Sequence, residues 1–412
     1  MWAVSPVSPV GFPSTAQLAI GLLILFSVVS CSVETDGNRD IPSDHAKKLQ
    51  ALPYTSWSPI EHQDKEGVAI YNRALAQPGW NLFNSLTRTR ATLMDMDGKT
   101  LHEWSQDTGK KWEHVRLLEN GELLVLNEDP RQLIRLDWNS EVVWSQEIYV
   151  HHDVDVSDNG DIYVLSAAEE FTDHNGLEIP IRNHYIRILS PEGRVKRSIS
   201  FLPLLRSRLD MPKLAEFIAT GGEIDLGFRF EGDFVDVFHV NTLSIIDRTF
   251  NEFFQKGFVL FAARNLDLIG VIDVEEEKLV WSWGENYLDW PHQPVLLGSG
   301  NLLVFDNGTH RKYSRIIELD PRNGEIVWEY EGDLQESFFS VMMGGVQDLP
   351  NGNILITEST KGHAFEITRD GAIVWEFYNP DLNEVRDRRA SIYRMRRIPF
   401  DFLEPGLLPE VQ

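Results

Sequence analysis

Short apolar runs separated by Asn-Gly or similar turns recur along this chain, and each pair of runs is followed by a further run that ends in tryptophan. The segments Val115–Val125, Val154–Val164, Val295–Val304 and Val346–Ile356 all read as strand, tight turn, strand. Asn-Gly accommodates the positive φ of a two-residue hairpin, so each copy is a hairpin. The second half of the unit is seen at Glu141–Trp144, Lys278–Trp281, Gly324–Trp328 and Gly371–Trp375, and the last three tryptophans are spaced by 47 positions. That period, with four strands per unit, predicts the blade of a β-propeller. Weaker copies at Gly98–Trp104 and Gly193–Ser198 bring the count to six. The expected fold is therefore all-β, a six-bladed β-propeller of four-stranded blades. One stretch, residues 203–222, has a helical period instead, through Leu204, Leu205, Leu209, Leu214, Phe217 and Ile218. It predicts a short helix in an insertion at about 203–236, near His239. Closing a ring removes exposed strand edges, so Val68–Tyr71 or Ala91–Met94 is expected to complete a blade with a late strand. Arg389, Arg394, Arg396 and Arg397 form a basic island near the end, either a surface tail or a segment docked on the propeller.

Composition narrows the setting. The formal net charge of -25 over 412 residues opposes binding to nucleic acid or anionic lipid, while a few cations in a narrow site can still dominate locally. The single cysteine excludes a structural disulfide within the chain and any Cys-rich metal site. Cys31 closes an apolar run, Leu22 to Ser30, that ends in small residues. This resembles the lipobox of bacterial lipoproteins, in which that cysteine is lipidated. Residues 1–31 are accordingly expected to be a signal peptide with Cys31 as the lipid-anchored residue, 32–64 a polar tether and lead-in, and 65–412 the propeller. An uncleaved membrane anchor is the alternative, since residues 1–30 hold no Lys or Arg. Both place the propeller outside the cytoplasm, as a periplasmic or outer-membrane protein held to the membrane.

Equivalent positions in successive blades lie at similar heights around one axis, so repeat register predicts proximity. Counting back eight positions from the turn glycines gives Glu113, His152, His292 and Gly344. Two histidines in one register are expected to converge on the central channel. His114 and His151 are one position off, which on a regular strand turns a side chain to the opposite face.

Four segments then resemble those of the bacterial arylsulfate sulfotransferases. Asp236–Leu243 is similar to the family's His-x-Asn-Ser-Ile element, with Thr242 in place of serine, and Ala262–Asp267 to its Ser-x-Arg-x-x-Ser element. Pro291–Pro294 with Leu303–Gly308 resembles the segment that carries a transiently sulfated histidine, and His151-His152-Asp153 resembles the fourth element. The resemblance implies a six-bladed propeller that moves a sulfuryl group from an aryl sulfate donor to a phenolic acceptor without PAPS or any other cofactor. It implies His292 as nucleophile, His239 and His152 as proton donors or shuttles, and Arg264 as the clamp on the sulfuryl oxygens. Asn241 would orient a histidine or the substrate, and Phe238 and Trp290 would stack on the aryl ring.

Plainer readings stand beside these. His62, His102, His174, His184, His310 and His363 read as surface or packing residues, and the recurrent tryptophans as anchors between blades. Asp306-Asn307-Gly308 lacks the full oxygen set of a calcium loop, so no metal is expected. A non-catalytic envelope propeller that binds a ligand or partner is the rival from another class, since fold alone does not fix function. A quinoprotein-like oxidoreductase is a third, with no feature for that cofactor in the chain.

Overall fold

The Asn-Gly units do fold as hairpins, with Gly121, Gly160, Gly300 and Gly352 at φ of +81°, +82°, +84° and +85°. That left-handed region carries no penalty for a residue without Cβ. The computed structural model describes residues 56–62, 64–107, 109–222 and 230–408. Within them six antiparallel sheets form the blades. Blade 2 is the simplest, with Trp112–Leu117 innermost, then Leu123–Asn127, Gln132–Leu136 and Val142–Gln146 outermost. Blades 3, 4 and 5 begin at Val150–Val156, Val240–Ile245 and Pro291–Leu296, and blade 6 at Gly345–Asp348. Cys31 and its apolar run lie outside the described residues, as do 32–55 of the tether. The lead-in is folded from Trp57–Pro59, which pairs with Arg388–Ala390.

Closure uses both of the anticipated amino-terminal strands. Ile392–Ile398 becomes the innermost strand of blade 1, against Trp80–Ser85, with Arg90–Met94 and Thr100–Ser105 outside it. Gly67–Tyr71 adds a fifth, outer strand to blade 6 by pairing with Ile373–Tyr378. Arg394, Arg396 and Arg397 of the basic island therefore lie on an inner strand, with Arg394 and Arg397 buried, while Arg389 sits on the strand paired with Trp57–Pro59. The insertion holds two short helices, Phe201–Leu205 and Met211–Ala219, where a single one was expected. A 3-10 turn at Arg206–Arg208 ends the first, and Asp210 caps the second by accepting the Lys213 N–H. The insertion closes with Phe234–Asp236, which runs parallel to Ile181-Arg182 of blade 3 and delivers Asp236 to the axis.

Packing between blades rests on apolar layers and on the recurrent tryptophans. Indole N–H groups on the fourth strands of the blades donate to turns of the following blade: Trp104 to Gly121 O, Trp144 to Pro191 O, Trp328 to Arg369 O, and Trp375 to Met96 O. The last of these bridges the closing junction between blade 6 and blade 1. Trp375 and Trp104 are fully buried, so each indole fills volume as well as bonding. Trp375→Phe leaves the Met96 carbonyl unpaired beside a new void, and is expected to lower stability by about 2–4 kcal/mol, read from the shift in urea midpoint.

Candidate active site

The innermost strands begin irregularly, and that irregularity builds the site. Register shifts occur between Val150 and Val154, Trp112 and His114, Val240 and Thr242, and His292 and Val295. At the same places His152 has φ +60°, His239 +45° and Gln293 +37°. A bulge breaks the strict alternation of strand faces, so neighbouring residues can both turn toward the axis. His151 accordingly lies beside His152, ring centres 5.0 Å apart, and not on the opposite face as the register rule implied. His114 is corrected in the same way, its Nε2 3.6 Å from Asp153 Oδ1 in the channel.

Three blades and the insertion meet in one buried polar chain. Glu113 Oε1 lies 2.7 Å from His152 Nδ1, a close ion-pair contact bent from ideal hydrogen-bond alignment. His152 Nε2 and His239 Nε2 are 3.0 Å apart. His239 Nδ1 is held very close to Asp236 Oδ2, and its backbone N–H donates to Asp236 Oδ1 at 2.9 Å. Burial pushes Glu113 and Asp236 up, but the adjoining imidazoles overcome it and hold both carboxyls well below their usual range. His239 is pushed the other way, well below the ordinary histidine range, by burial first and by Arg264 second.

His292 is 2% exposed, and two acceptors decide its tautomer. Its Nδ1 faces Asn307 Oδ1 at 2.6 Å and Trp290 O at 3.1 Å, so Nδ1 carries the hydrogen and Nε2 the lone pair. Asn307 cannot rotate out of this role, because its Nδ2 donates to Ser340 O and Met343 O at 2.7 and 2.5 Å. Burial, followed by the charge of Arg264, keeps His292 neutral by holding it well below its ordinary value.

Arg264 is fixed by its own chain and by Trp290. Its backbone N–H donates to His239 O at 3.2 Å, its Nε to Asn265 Oδ1 at 3.1 Å, and its guanidinium sits 4.3 Å above the Trp290 ring. His152 and Arg264 are both near enough to His292 for their charge to act on it. A cavity of about 40 Å³ lies against Glu113, His152, Asp236 and His239, enough for a water or two and too small for an aryl ring. A larger space of about 350 Å³ is lined by Arg116, Asp153, Thr242, Gln293, Arg394 and Arg396.

His152, His239, Arg264 and His292 are thus brought together as expected. Asn241 is close by, but it steadies backbone: its Nδ2 donates to Pro291 O at 3.0 Å, next to His292. Two expected aromatic platforms do not serve. Phe238 is wholly buried in the core between blades 3 and 4, and the Trp290 ring is covered by the Arg264 guanidinium. His184 was read as a packing residue, yet its Nε2 faces Asp236 Oδ1 at 3.4 Å and its Nδ1 accepts the Val240 N–H at 2.9 Å. The partners that sequence reasoning passed over are Glu113, Asp236 and Asn307. Glu113 shares the His152 register, and the other two lie inside the motifs, so a search for acceptors beside each histidine finds them. Asp306 is taken up by Arg311 and Arg315 at 3.1 and 2.7 Å, which makes it an ion-pair residue.

A propeller hub crowded with imidazoles, buried carboxylates and a lodged guanidinium has the equipment of a group-transfer enzyme. Residues 114–380 match the family model described as arylsulfotransferase (ASST), more than half of the chain, and the protein belongs to that family. No curated protein matches the sequence. Among solved structures, a protein of unknown function from Bacteroides caccae aligns at 14% identity over 78% of this chain and 99% of its own, with a TM-score of 0.51. A streptogramin B lyase aligns at 13% identity over 83% and 97%, TM-score 0.46. A catalytically inactive virginiamycin B lyase from Staphylococcus aureus with quinupristin aligns at 12% over 79% and 88%, TM-score 0.43. At such identities the likeness is one of fold.

Asn307→Leu removes the nearer acceptor that fixes His292 and leaves the Met343 carbonyl without its donor. It is expected to cost about 2–3 kcal/mol in urea unfolding and to give His292 a mixture of tautomers in its ring nitrogen NMR spectrum.

Proposed function

We propose that this arylsulfotransferase moves a sulfuryl group from an aryl sulfate to a phenol in two steps through sulfo-His292. The observation that carries the reading is the pinned tautomer of His292, whose Nε2 is left as a neutral nucleophile in a site supplied with one guanidinium. In the first step Nε2 attacks sulfur, an N–S bond forms, and the aryl O–S bond breaks with its electron pair going to the aryl oxide. In the second the acceptor oxygen attacks sulfur and the N–S pair returns to Nε2. Arg264, held flat on Trp290 and bonded to Asn265, is set to neutralise the sulfuryl oxygens as charge redistributes. A stacked guanidinium needs little reorganisation, and its fork suits two oxygens at once. His152 and His239, in contact with each other through their Nε2 atoms, exchange hydrogen with the aryl oxygen.

The donor and acceptor are read as aryl sulfate and phenol from the family to which the chain belongs, and splitting one transfer into two suits a leaving group of modest basicity. The propeller acts outside the cytoplasm in this reading, tethered through lipidated Cys31. Among the described residues no helix is long and apolar enough to cross a membrane.

Purified protein given a chromogenic aryl sulfate and a phenol is expected to transfer the group, and His292→Ala to lose at least about 1,000-fold in rate. A radiolabelled donor supplied without acceptor should label His292 alone. Undiminished transfer by His292→Ala sinks the mechanism, and a propeller that only binds would neither label nor turn over. Separately, cells fed labelled palmitate are expected to label the protein and to lose that label with Cys31→Ala; equal labelling of the variant rejects the anchor.

A further inference from the structure

Three contacts run through four buried side chains, from Glu113 to His152, from His152 to His239, and from His239 to Asp236. Each joins two nitrogen or oxygen atoms that repel as bare lone pairs, and each therefore needs a proton between them. The chain needs three. Two neutral imidazoles between two carboxylates bring only two. We propose that the resting site holds one further proton in common between His152 and His239, and that this proton passes to the departing aryl oxide and is later recovered from the acceptor phenol. The proposal rests on the sulfo-His292 reading and supplies its acid and base from one pair.

The surroundings decide where the surplus proton sits. Glu113 Oε2 accepts from Arg131 Nη1 at 2.9 Å, so neither of its oxygens needs a hydrogen of its own. Asp236 Oδ1 accepts the His239 N–H and faces His184 Nε2. Since His184 Nδ1 accepts the Val240 N–H, its Nε2 is the protonated nitrogen and points a donor at Asp236. Both carboxylates are thus ringed by donors, which favours their ionised forms and leaves the proton to the imidazoles. Burial and then Arg264 oppose a charge on His239, while Glu113 faces the other imidazole directly. Among the other neighbours, the Asp153 carboxylate is already paired with Arg394 Nη1 at 2.7 Å. His151 is kept neutral by burial and then by His184, and Tyr393, its ring parallel to His152 at 6.1 Å, is held in its phenol form by burial. Bare nitrogens facing each other at 3.0 Å would repel through their lone pairs, which a low-dielectric interior screens little.

Atoms balance over the cycle. When the aryl O–S bond breaks, the oxide takes the shared proton and leaves as a phenol, and the His152–His239 pair falls to two protons. When the acceptor phenol attacks sulfo-His292, its proton returns to the pair as the new aryl O–S bond forms. No solvent proton is consumed, which suits a site that is almost closed to water.

Neutron diffraction from deuterium-exchanged crystals of the substrate-free protein near neutral pH tests the count directly. A deuteron on each Nδ1 and one between the two Nε2 atoms is expected. Two bare Nε2 atoms, or a deuteron on Glu113 or Asp236, would overturn the proposal. The rate of phenol release without acceptor is the second readout, and it should fall on the alkaline side as the pair loses its proton. Glu113→Gln removes an anion that favours the protonated pair, so that limb should move to lower pH by about one unit. An unmoved limb counts against sharing. Failure to label His292 would instead reject the sulfo-enzyme reading, while the deuteron map judges the proton by itself.

Discussion

Six sheets pointed edge-on at one axis expose six rows of backbone donors and acceptors to the channel, and those rows must be paired. The protein pairs them with polar side chains from the neighbouring blade. Asp153 and Asp155 of blade 3 accept the N–H groups of Leu243 and Ile245 in blade 4. Thr242 accepts from Gln293 N–H, Gln293 Oε1 accepts from Val346 N–H, and Gln347 Oε1 accepts from Arg397 N–H, so the pattern passes from blade to blade around the ring. An unpaired edge would cost about as much as the lost hydrogen bonds and would invite association with other chains. The hub is therefore obliged to be polar. Arg394 deep in the channel, bonded to Asp153 Oδ2 at 2.7 Å, is part of the same solution.

A polar hub is the raw material of the site, and the bulges at the strand starts turn it into chemistry. His152 and His239 hold positive φ, which branched or bulky residues adopt only when the surroundings enforce it. Here enforcement comes from paired ends: Glu113 grips one imidazole, Asp236 the other, and Asn307 fixes His292. Rotamers locked in this way cost little at the moment of reaction, because the groups already stand where charge develops. The insertion contributes through its last residue, since the strand Phe234–Asp236 sets the carboxylate that orders both His239 and His184. An element that looks dispensable to the propeller is thus tied to its centre.

The fold was legible because it is repetitive. Hairpin glycines and tryptophans recur at a spacing that only a stack of like sheets can use, and each signal is local: a turn needs its glycine whatever lies elsewhere. His152 and His292 were legible for the same reason, as repeat register carries one blade onto the next, whereas His239 was found through its motif. Register failed where the strands depart from regularity. His151 and His114 were assigned to the wrong face because a bulge is not written in alternation, and His184 was overlooked because the long hairpin that carries it, Ile162–His174 with Leu177–Leu189, reaches the axis only through blade 3's own geometry.

The amino-acid sequence by itself therefore determined the six-bladed ring, its closure by the chain ends and the shared register of His152 and His292, which follow from short-range patterns repeated around an axis; His239 and Arg264 were picked out only by motifs that resemble those of the arylsulfotransferases. Only the tertiary structure decided which acceptor faces which nitrogen, that Phe238 belongs to the core, and that Trp290 supports the guanidinium. Those choices depend on contacts between residues tens or hundreds of positions apart, at distances of a few ångströms, where a single bulge or rotamer reverses the outcome and local sequence carries no record of it.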